Sequence, residues 1–305
     1  MSERIYCSQA SADQPMLGTA AVVDVWLLLE YRPAWRAKAI TDNALGEGVR
    51  SWLAQGLEAL ESQGHKVRAQ FIRQPEIDRP DTRLLVHHDG VLRAFESGGP
   101  GYDGLIRTPI EALFHGNSGE RLEAPRYFVC TNGQRDLCCA RFGLPLYNRL
   151  RERLGERIWQ VTHLGGHRFA PNVLVLPQGV LYGRVGAEDE PIERFVAEVE
   201  AGRVPRRHLR GRSCYPKPVQ AAEGFADRDG LEWVALEEGE GHAKVTFNHR
   251  GRPLFVKVAA TDEPVSVLAS CGDQQLKSER PYRLVGSPSH KINERSGPAR
   301  APAVR

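Results

Sequence analysis

The sequence has no apolar run long enough to cross a membrane, since the longest run covers about residues 25–29 and ends at Glu30. Its N-terminus lacks the charged-then-apolar plan of a secretory signal peptide. With 41% apolar and 26% charged residues among 305, the composition is typical of a soluble globular protein. We therefore expect a cytoplasmic protein that makes no contact with a membrane.

The chain also has little net charge and few cysteines. A formal charge of +3 is small for this length and does not indicate a nucleic-acid partner. Of the six cysteines, half lie between residues 130 and 139, which is not the spacing of a disulfide framework. In a reducing compartment, a local group of cysteines more often binds a metal or performs redox chemistry.

The stretch from residue 130 to 167 combines thiols and imidazoles in a compact pattern. Cys130 ends a predicted strand (126–129), and Cys138 and Cys139 precede a predicted helix (144–154). The amino end of a helix favours a nearby thiolate through its free N–H groups and its dipole. The stretch therefore has the features of a metal or cluster site.

Two histidines follow the next predicted strand at the same edge of the sheet. His163 and His167 are separated by Leu-Gly-Gly, and the two glycines favour a tight loop over a helix. Two thiolates and two imidazoles fit either tetrahedral zinc or a [2Fe-2S] cluster. The eight residues between Cys130 and Cys139 favour the two-iron cluster, because zinc knuckles bring their cysteines closer together in sequence.

Two halves of the chain show the same order of strand, helix, strand, hairpin and helix. Their first strands end 100 residues apart, at Glu30 and Cys130. This order predicts an α/β fold of two thioredoxin-like units, followed by a small antiparallel β region. Within each unit the first two strands should be parallel, and the second unit should carry the site. The predicted segments are a scaffold unit (1–118), a ferredoxin-like unit (119–203), a linker with the β region (204–285) and a disordered tail (286–305).

The motifs of the second half resemble those of the sucrase/ferredoxin-like family of thioredoxin-like ferredoxins. The resemblance rests on the segments 128–136 (Phe-Val-Cys-Thr-Asn-Gly-Gln-Arg-Asp) and 163–170 (His-Leu-Gly-Gly-His-Arg-Phe-Ala), with more general similarity over about residues 5–225. It implies a [2Fe-2S] cluster with four ligands, which are Cys130, Cys139, His163 and His167. Asn132 stands where family members often have histidine.

The resemblance implies an electron carrier that works with redox partner proteins, rather than an enzyme with its own substrate. No pair of carboxylates marks a glycosidase site. Neutral imidazole ligands raise the potential of a cluster and can take up a proton on reduction. We therefore expect proton-coupled electron transfer, with a potential that changes between about pH 6 and pH 9. A zinc-stabilised interaction module is the alternative, and a thiol oxidoreductase using Cys138 and Cys139 comes third.

The remaining candidate residues are interpreted as ordinary ones. We expect Cys138 to be an extra thiol. Arg135 and Asp136 either tune the cluster or pin its loop. The arginine-rich run at 203–212 is predicted to be a solvated linker, with partner docking as the second interpretation. The other residues expected to have no special role are the single cysteines Cys7, Cys214 and Cys271, the surface Arg168, and the exposed pair His87 and His88.

Overall fold

The computed structural model describes residues 5–290. These residues form a mixed α/β structure with a ten-stranded sheet, a separate four-stranded antiparallel sheet and a two-stranded ribbon. The order along the large sheet is β10-β9-β8-β6-β7-β2-β1-β3-β4-β5, with strands numbered along the chain. Within the described range, no helix has the length and apolar character that a membrane span requires.

The first half of the large sheet follows a short helix, α1 (Cys7–Ala10). Its elements are β1 (Val25–Glu30), α2 (Glu47–Ser62), β2 (Val67–Arg73), β3 (Arg83–His88), β4 (Val91–Glu96), α3 (Asp103–Ile106), α4 (Ile110–His115) and β5 (Glu120–Arg121).

The second half carries the cysteine and histidine motifs. Its elements are β6 (Arg126–Cys130), α5 (Leu137–Leu154), β7 (Ile158–Val161), β8 (Val173–Leu176), β9 (Val180–Tyr182), α6 (Asp189–Glu200) and β10 (Leu209–Arg212). As predicted, the first two strands of each half are parallel: β1 pairs with β2, and β6 pairs with β7.

The two halves join through an antiparallel contact between β2 and β7, where Ile72 lies opposite Val161. On either side of this junction the strand order is the same: β2-β1-β3-β4 in one direction and β7-β6-β8-β9 in the other. Alternate side chains of a strand face opposite sides of the sheet. Trp26 and Phe128 therefore meet in a core shared by both halves, which also contains Cys130 and Cys139.

Helix α5 begins earlier than the sequence suggested. It was predicted at 144–154 with Pro145 in its first turn, but it starts at Leu137 and contains Pro145. Asp136 caps it by accepting a hydrogen bond from the Cys138 N–H at 2.9 Å. Close packing on β6 fixes the early turns, because a Cβ on Gly143 would lie 2.2 Å from the Cys130 carbonyl oxygen. Capping and packing outweigh the cost of a proline inside a helix.

The arginine-rich run at 203–212 is not a solvated linker throughout. Its last four residues form β10, which pairs with β9 at the edge of the large sheet. Arg210 is 1% exposed and donates to the carbonyl oxygens of Thr19 (2.7 Å) and Gly165 (2.8 Å) and to Asn172 Oδ1 (2.8 Å). The many charged residues of this run favour a solvated segment over a strand. The burial of Arg210 could not be predicted, because its partners lie far away in the chain.

The C-terminal region is built around the small antiparallel sheet. Its elements are α7 (Lys217–Ala226), β11 (Leu231–Gly239), β12 (His242–His249), β13 (Arg252–Ala260), β14 (Val265–Val267), β15 (Lys277–Glu279) and β16 (Tyr282–Leu284). Strands β14 and β15 form the separate ribbon. Most of the tail predicted at 286–305 lies outside the described residues. In its described part, Ser289 forms an isolated antiparallel β-bridge with Phe255.

Candidate metal centre

The end of β6 and the first turn of α5 bring two thiols together. Cys130 is the last residue of β6, and Cys139 lies in the first turn of α5. Both are buried, with exposed fractions of 1% and 0%. The hydrogen-bonded loop between them is closed by Asn132, whose carbonyl accepts from the N–H groups of Arg135 (3.1 Å) and Asp136 (3.3 Å).

The loop after β7 carries the two histidines. Gly165 and Gly166 have φ values of 90° and 67°, in the left-handed region that glycine adopts without strain. A Cβ on Gly166 would lie 2.4 Å from Nη2 of Arg210. As the sequence indicated, the glycine pair lets the loop turn tightly. The loop does so over the buried guanidinium of Arg210.

Three of the four predicted ligands converge. Cys130, Cys139 and His163 each offer a ligand atom within 4.8 Å of the other two, and Cys139 Sγ lies 4.0 Å from His163 Nδ1. We call these three residues the strand-end group. His163 is partly exposed, so the group lies at the edge of the core with one imidazole towards solvent.

His167 lies beside the strand-end group. Its ring centroid is 4.8 Å from that of His163, and its Nε2 is 3.8 Å from Asp136 Oδ2. Its Nδ1 is buried and has no hydrogen-bond partner among the described residues. Because buried polar atoms normally have partners, an unpartnered ring nitrogen next to the strand-end group fits a metal ligand.

The electrostatics of the thiols favour one thiolate. The Cys139 thiol donates to Cys130, and His163 adds a further hydrogen bond and positive charge, so the pKa of Cys130 lies well below its ordinary value. The same hydrogen bond, with burial, raises the pKa of Cys139. Burial lowers the pKa of His167, against the opposing charge of Asp136. A thiolate and a neutral imidazole are the ligand forms that a metal centre requires.

A second thiol group lies on the other side of Asp136. Cys7, Cys138, Cys271 and Asp136 place ligand atoms within 4.8 Å of one another, and we call them the three-thiol group. Cys7 and Cys271 were expected to be scattered single cysteines, but the structure brings them together with Cys138. Of the six cysteines, all within the described residues, only Cys214 lies outside both groups. Nothing local in the sequence marks this group, since its cysteines are more than 130 residues apart.

Two further expectations are corrected by burial. Arg168 is 8% exposed and forms a bidentate ion pair with Glu279, with one contact at 2.7 Å. His87 is 4% exposed, and its Nε2 lies 2.8 Å from the Pro177 carbonyl oxygen. Burial lowers the pKa of His87 to about 4. In both cases, the partner that covers the side chain comes from a distant segment.

A groove of about 290 Å³ opens beside His163. Its lining includes the cationic side chains of Lys38, Arg68 and Arg135. Arg68 is held in place by donating to the His163 carbonyl oxygen at 2.7 Å, and Asn132 donates to the Arg36 carbonyl at 3.0 Å. The first half of the chain thus forms one wall of the approach to the strand-end group.

Comparison with known proteins gives a family match. A model described as sucrase/ferredoxin-like matches residues 16–211, more than half of the chain. Among curated proteins, Altered inheritance of mitochondria protein 32 from Meyerozyma guilliermondii is 38% identical over 72 residues, which cover 20% of this chain and 25% of that protein. The match thus spans about a quarter of the curated relative's length.

Solved structures give two similarities of low overall score. A thioredoxin-like [2Fe-2S] ferredoxin from Aquifex aeolicus is 21% identical, with 31% of this chain and 97% of that chain covered and a TM-score of 0.27. A cysteine-to-serine variant of the Aquifex aeolicus thioredoxin-like [2Fe-2S] ferredoxin is also 21% identical, with coverage of 28% and 96% and a TM-score of 0.24.

Proposed function

Because this chain belongs to the sucrase/ferredoxin-like family, we propose that it is an iron–sulfur protein that carries single electrons. The ligands of its [2Fe-2S] cluster would be Cys130, Cys139, His163 and His167. One observation carries the proposal: both sulfurs and the His163 ring converge at one sheet edge, with the unpartnered ring nitrogen of His167 beside them.

A bound cluster would supply the site that accepts and releases one electron. The protein's own residues would hold and tune it. Cys130 and Cys139 provide thiolates from rigid elements, while the loop at 165–166 fixes the imidazoles. Two neutral imidazoles in place of two thiolates remove negative charge near iron, so the potential would be higher than with four cysteines, as in Rieske centres. An imidazole reaching solvent at His163 would allow proton uptake on reduction.

We propose that the scaffold consists of two thioredoxin-like units, of which the first carries no cluster. The repeated strand order on either side of the β2–β7 junction supports this division. At the strand end corresponding to Cys130, the first half has Glu30, a buried carboxylate that accepts from Nε of Arg32 and N–H of Arg83, both at 3.3 Å. The first half would then serve as the wall of the redox site.

The partner would be an acidic redox protein in the cytoplasm. The groove beside His163 is lined by three cationic side chains and leads to the partly exposed imidazole. Complementary charge steers association and speeds the encounter of redox partners. A carboxylate-rich donor or acceptor fits this rim better than nucleic acid or a lipid surface, because the cationic patch is small and local.

The oxidoreductase alternative is less well supported by the geometry. Cys138 and Cys139 are adjacent in sequence, but their sulfurs belong to different groups, with Cys138 next to Cys7 and Cys271 and Cys139 next to Cys130 and His163. A disulfide requires the two sulfurs to approach to about 2.05 Å. The zinc alternative places one zinc ion on the same two thiolates and two imidazoles, and metal analysis distinguishes it from the cluster.

The test is purification of the full chain without air, followed by absorption, iron and sulfide analysis. We expect a brown protein with about two irons and two sulfides per chain. Cys130→Ser should remove most of this iron, whereas Cys214→Ser, which changes an exposed cysteine outside both groups, should keep it. Colourless wild-type protein with zinc at the strand-end group would contradict the proposal.

A further inference from the structure

The three-thiol group joins three distant segments of the chain. Cys7 opens α1, Cys138 lies in the first turn of α5, and Cys271 lies between β14 and β15. Their sulfurs form a triangle with sides of 3.2 Å (Cys138 to Cys271), 3.5 Å (Cys7 to Cys138) and 3.6 Å (Cys7 to Cys271). Three buried or partly buried thiols thus converge on one point.

A buried carboxylate completes the group. Asp136 is 4% exposed, and its Oδ1 lies 3.7 Å from Cys7 Sγ. The carboxylate is held by the N–H of Cys138 at 2.9 Å, the N–H of Cys271 at 2.9 Å and the hydroxyl of Ser270 at 2.8 Å. Hydrogen bonds donated to a carboxylate favour its ionised form. An ionised carboxylate therefore lies against the thiols.

The spacing matches a tetrahedral zinc ion. With Zn–S distances of about 2.3 Å and a Zn–O distance of about 2.0 Å, a regular tetrahedron places sulfurs about 3.8 Å apart and sulfur about 3.5 Å from oxygen. Starting from sides of 3.2, 3.5 and 3.6 Å, the sulfur triangle would need to expand by about 0.2 to 0.6 Å. A disulfide is a poorer solution, because it would leave the third thiol buried beside the carboxylate.

Backbone and hydroxyl groups around the three-thiol group donate hydrogen bonds to two of its three sulfurs. The N–H and hydroxyl of Ser8 donate to Cys138 Sγ at 3.5 and 3.3 Å, and the N–H of Cys7 donates to Cys271 Sγ at 3.5 Å. Donors to sulfur are the outer contacts that orient metal-binding ligands. Plain apolar packing of small side chains does not require them.

We propose that Cys7, Cys138, Cys271 and Asp136 bind one structural zinc ion. The ion would fasten the N-terminal helix and the β14–β15 segment to the amino end of α5. Four protein ligands and no open position are typical of structural zinc sites. This inference is independent of the proposed function, because it uses none of the four residues assigned to the iron–sulfur cluster.

The first test uses unmodified full-length protein, purified without air after growth with added zinc. We expect about one zinc per chain. X-ray absorption at the zinc edge should give about three sulfur neighbours at ~2.3 Å and one oxygen neighbour at ~2.0 Å. A zinc-free protein would overturn the proposal, as would a zinc environment dominated by nitrogen.

Variants assign the metal to the group. Cys271→Ser should lower the zinc content at least about tenfold and leave iron unchanged, because the variant residue lies on the C-terminal segment. Asp136→Asn should weaken zinc binding about tenfold while keeping the helix cap, since asparagine also caps helices. The matched control Cys214→Ser should retain both metals. Far-ultraviolet circular dichroism checks that each variant is folded.

The outcomes separate this site from the strand-end group. Zinc lost from Cys130→Ser but retained by Cys271→Ser would assign the ion elsewhere and overturn the proposal. Iron lost from Cys271→Ser in a folded protein would assign the cluster to the three-thiol group and would likewise overturn it. If a variant fails to fold, the neighbours seen by X-ray absorption of the unmodified protein still decide the question.

Discussion

The strand-end group and the three-thiol group share one helix but differ in how their members reach it. Cys130, Cys139 and His163 lie within one strand-helix-strand segment, so the sheet topology alone places them at the same edge. The three-thiol group gathers residues from both ends of the described chain. The difference teaches that a group of potential metal ligands can be recognised from sequence when secondary structure assembles it, but not when tertiary packing does.

The two groups also differ in their chemistry. The strand-end group contains an imidazole that reaches a cationic groove, which suits exchange of electrons with a partner. The three-thiol group adds a buried carboxylate held by three donors, which suits a closed structural ion. Asp136 stands between them, because its other oxygen faces His167 at 3.8 Å.

The largest effect is expected from removing the support of the histidine loop. Arg210→Met leaves the carbonyls of Thr19 and Gly165 and the Asn172 side chain without their buried donor. Burial of the cation is itself unfavourable and lowers the pKa of Arg210 to about 9, so we expect a net loss of about 3 kcal/mol in the free energy of unfolding.

Chemical denaturation measures that loss. The control is Arg207→Met, which changes an exposed arginine of the same arginine-rich segment. The variant should lose iron and keep zinc, because Arg210 donates to the loop that carries His163 and His167 and makes no hydrogen bond to a member of the three-thiol group. Equal loss of both metals would break the distinction between the groups.

The second effect concerns the potential. His163→Cys should retain a cluster but lower its reduction potential by on the order of 100 mV, since a thiolate adds negative charge next to iron. His242→Cys adds a thiol at an exposed position and should leave the potential unchanged. An unchanged potential and spectrum in His163→Cys would mean that His163 is not a ligand.

The third effect concerns the glycine pair. Gly166→Ala and Gly202→Ala both place a side chain at positive φ, but only the first meets another residue. Both should suffer backbone strain of about 1 kcal/mol. Contact with Arg210 should cost Gly166→Ala about 1–2 kcal/mol more. Thermal unfolding of the two variants measures the difference. Equal stabilities would contradict a close approach between Gly166 and Arg210.

The smallest effect is expected at the Arg168–Glu279 ion pair. Glu279→Gln should cost about 1 kcal/mol, because its carboxylate is partly exposed while Arg168 is buried. It should speed proteolysis within residues 261–280 when zinc is removed and have little effect when zinc is bound. Fast cleavage regardless of zinc would show that the ion does not fasten this segment.

Much of the fold followed from local patterns. The strand that ends at Cys130 and the parallel first strands of each half follow from apolar runs and from the order of the predicted elements. The early start of α5 could not be read in the same way, because Pro145 signals a helix start and the packing of Gly143 on β6 is visible only in three dimensions.

The site shows the same limit. The sequence predicted that Cys130, Cys139 and His163 come together, because their spacing has a chemical meaning, and the structure places them together. The burial of Arg168, Arg210 and His87 was missed, since charged residues are usually exposed and their partners lie up to 191 residues away. Cys7 and Cys271 carried no local signal at all.

The most direct test of the central claim is pulsed electron paramagnetic resonance of the reduced, anaerobically purified protein. We expect a [2Fe-2S] signal with nitrogen couplings from two imidazoles, one of which disappears in His163→Cys. A reduced cluster without nitrogen couplings would contradict the assignment of His163 and His167, and the absence of any iron–sulfur signal would contradict the proposed function.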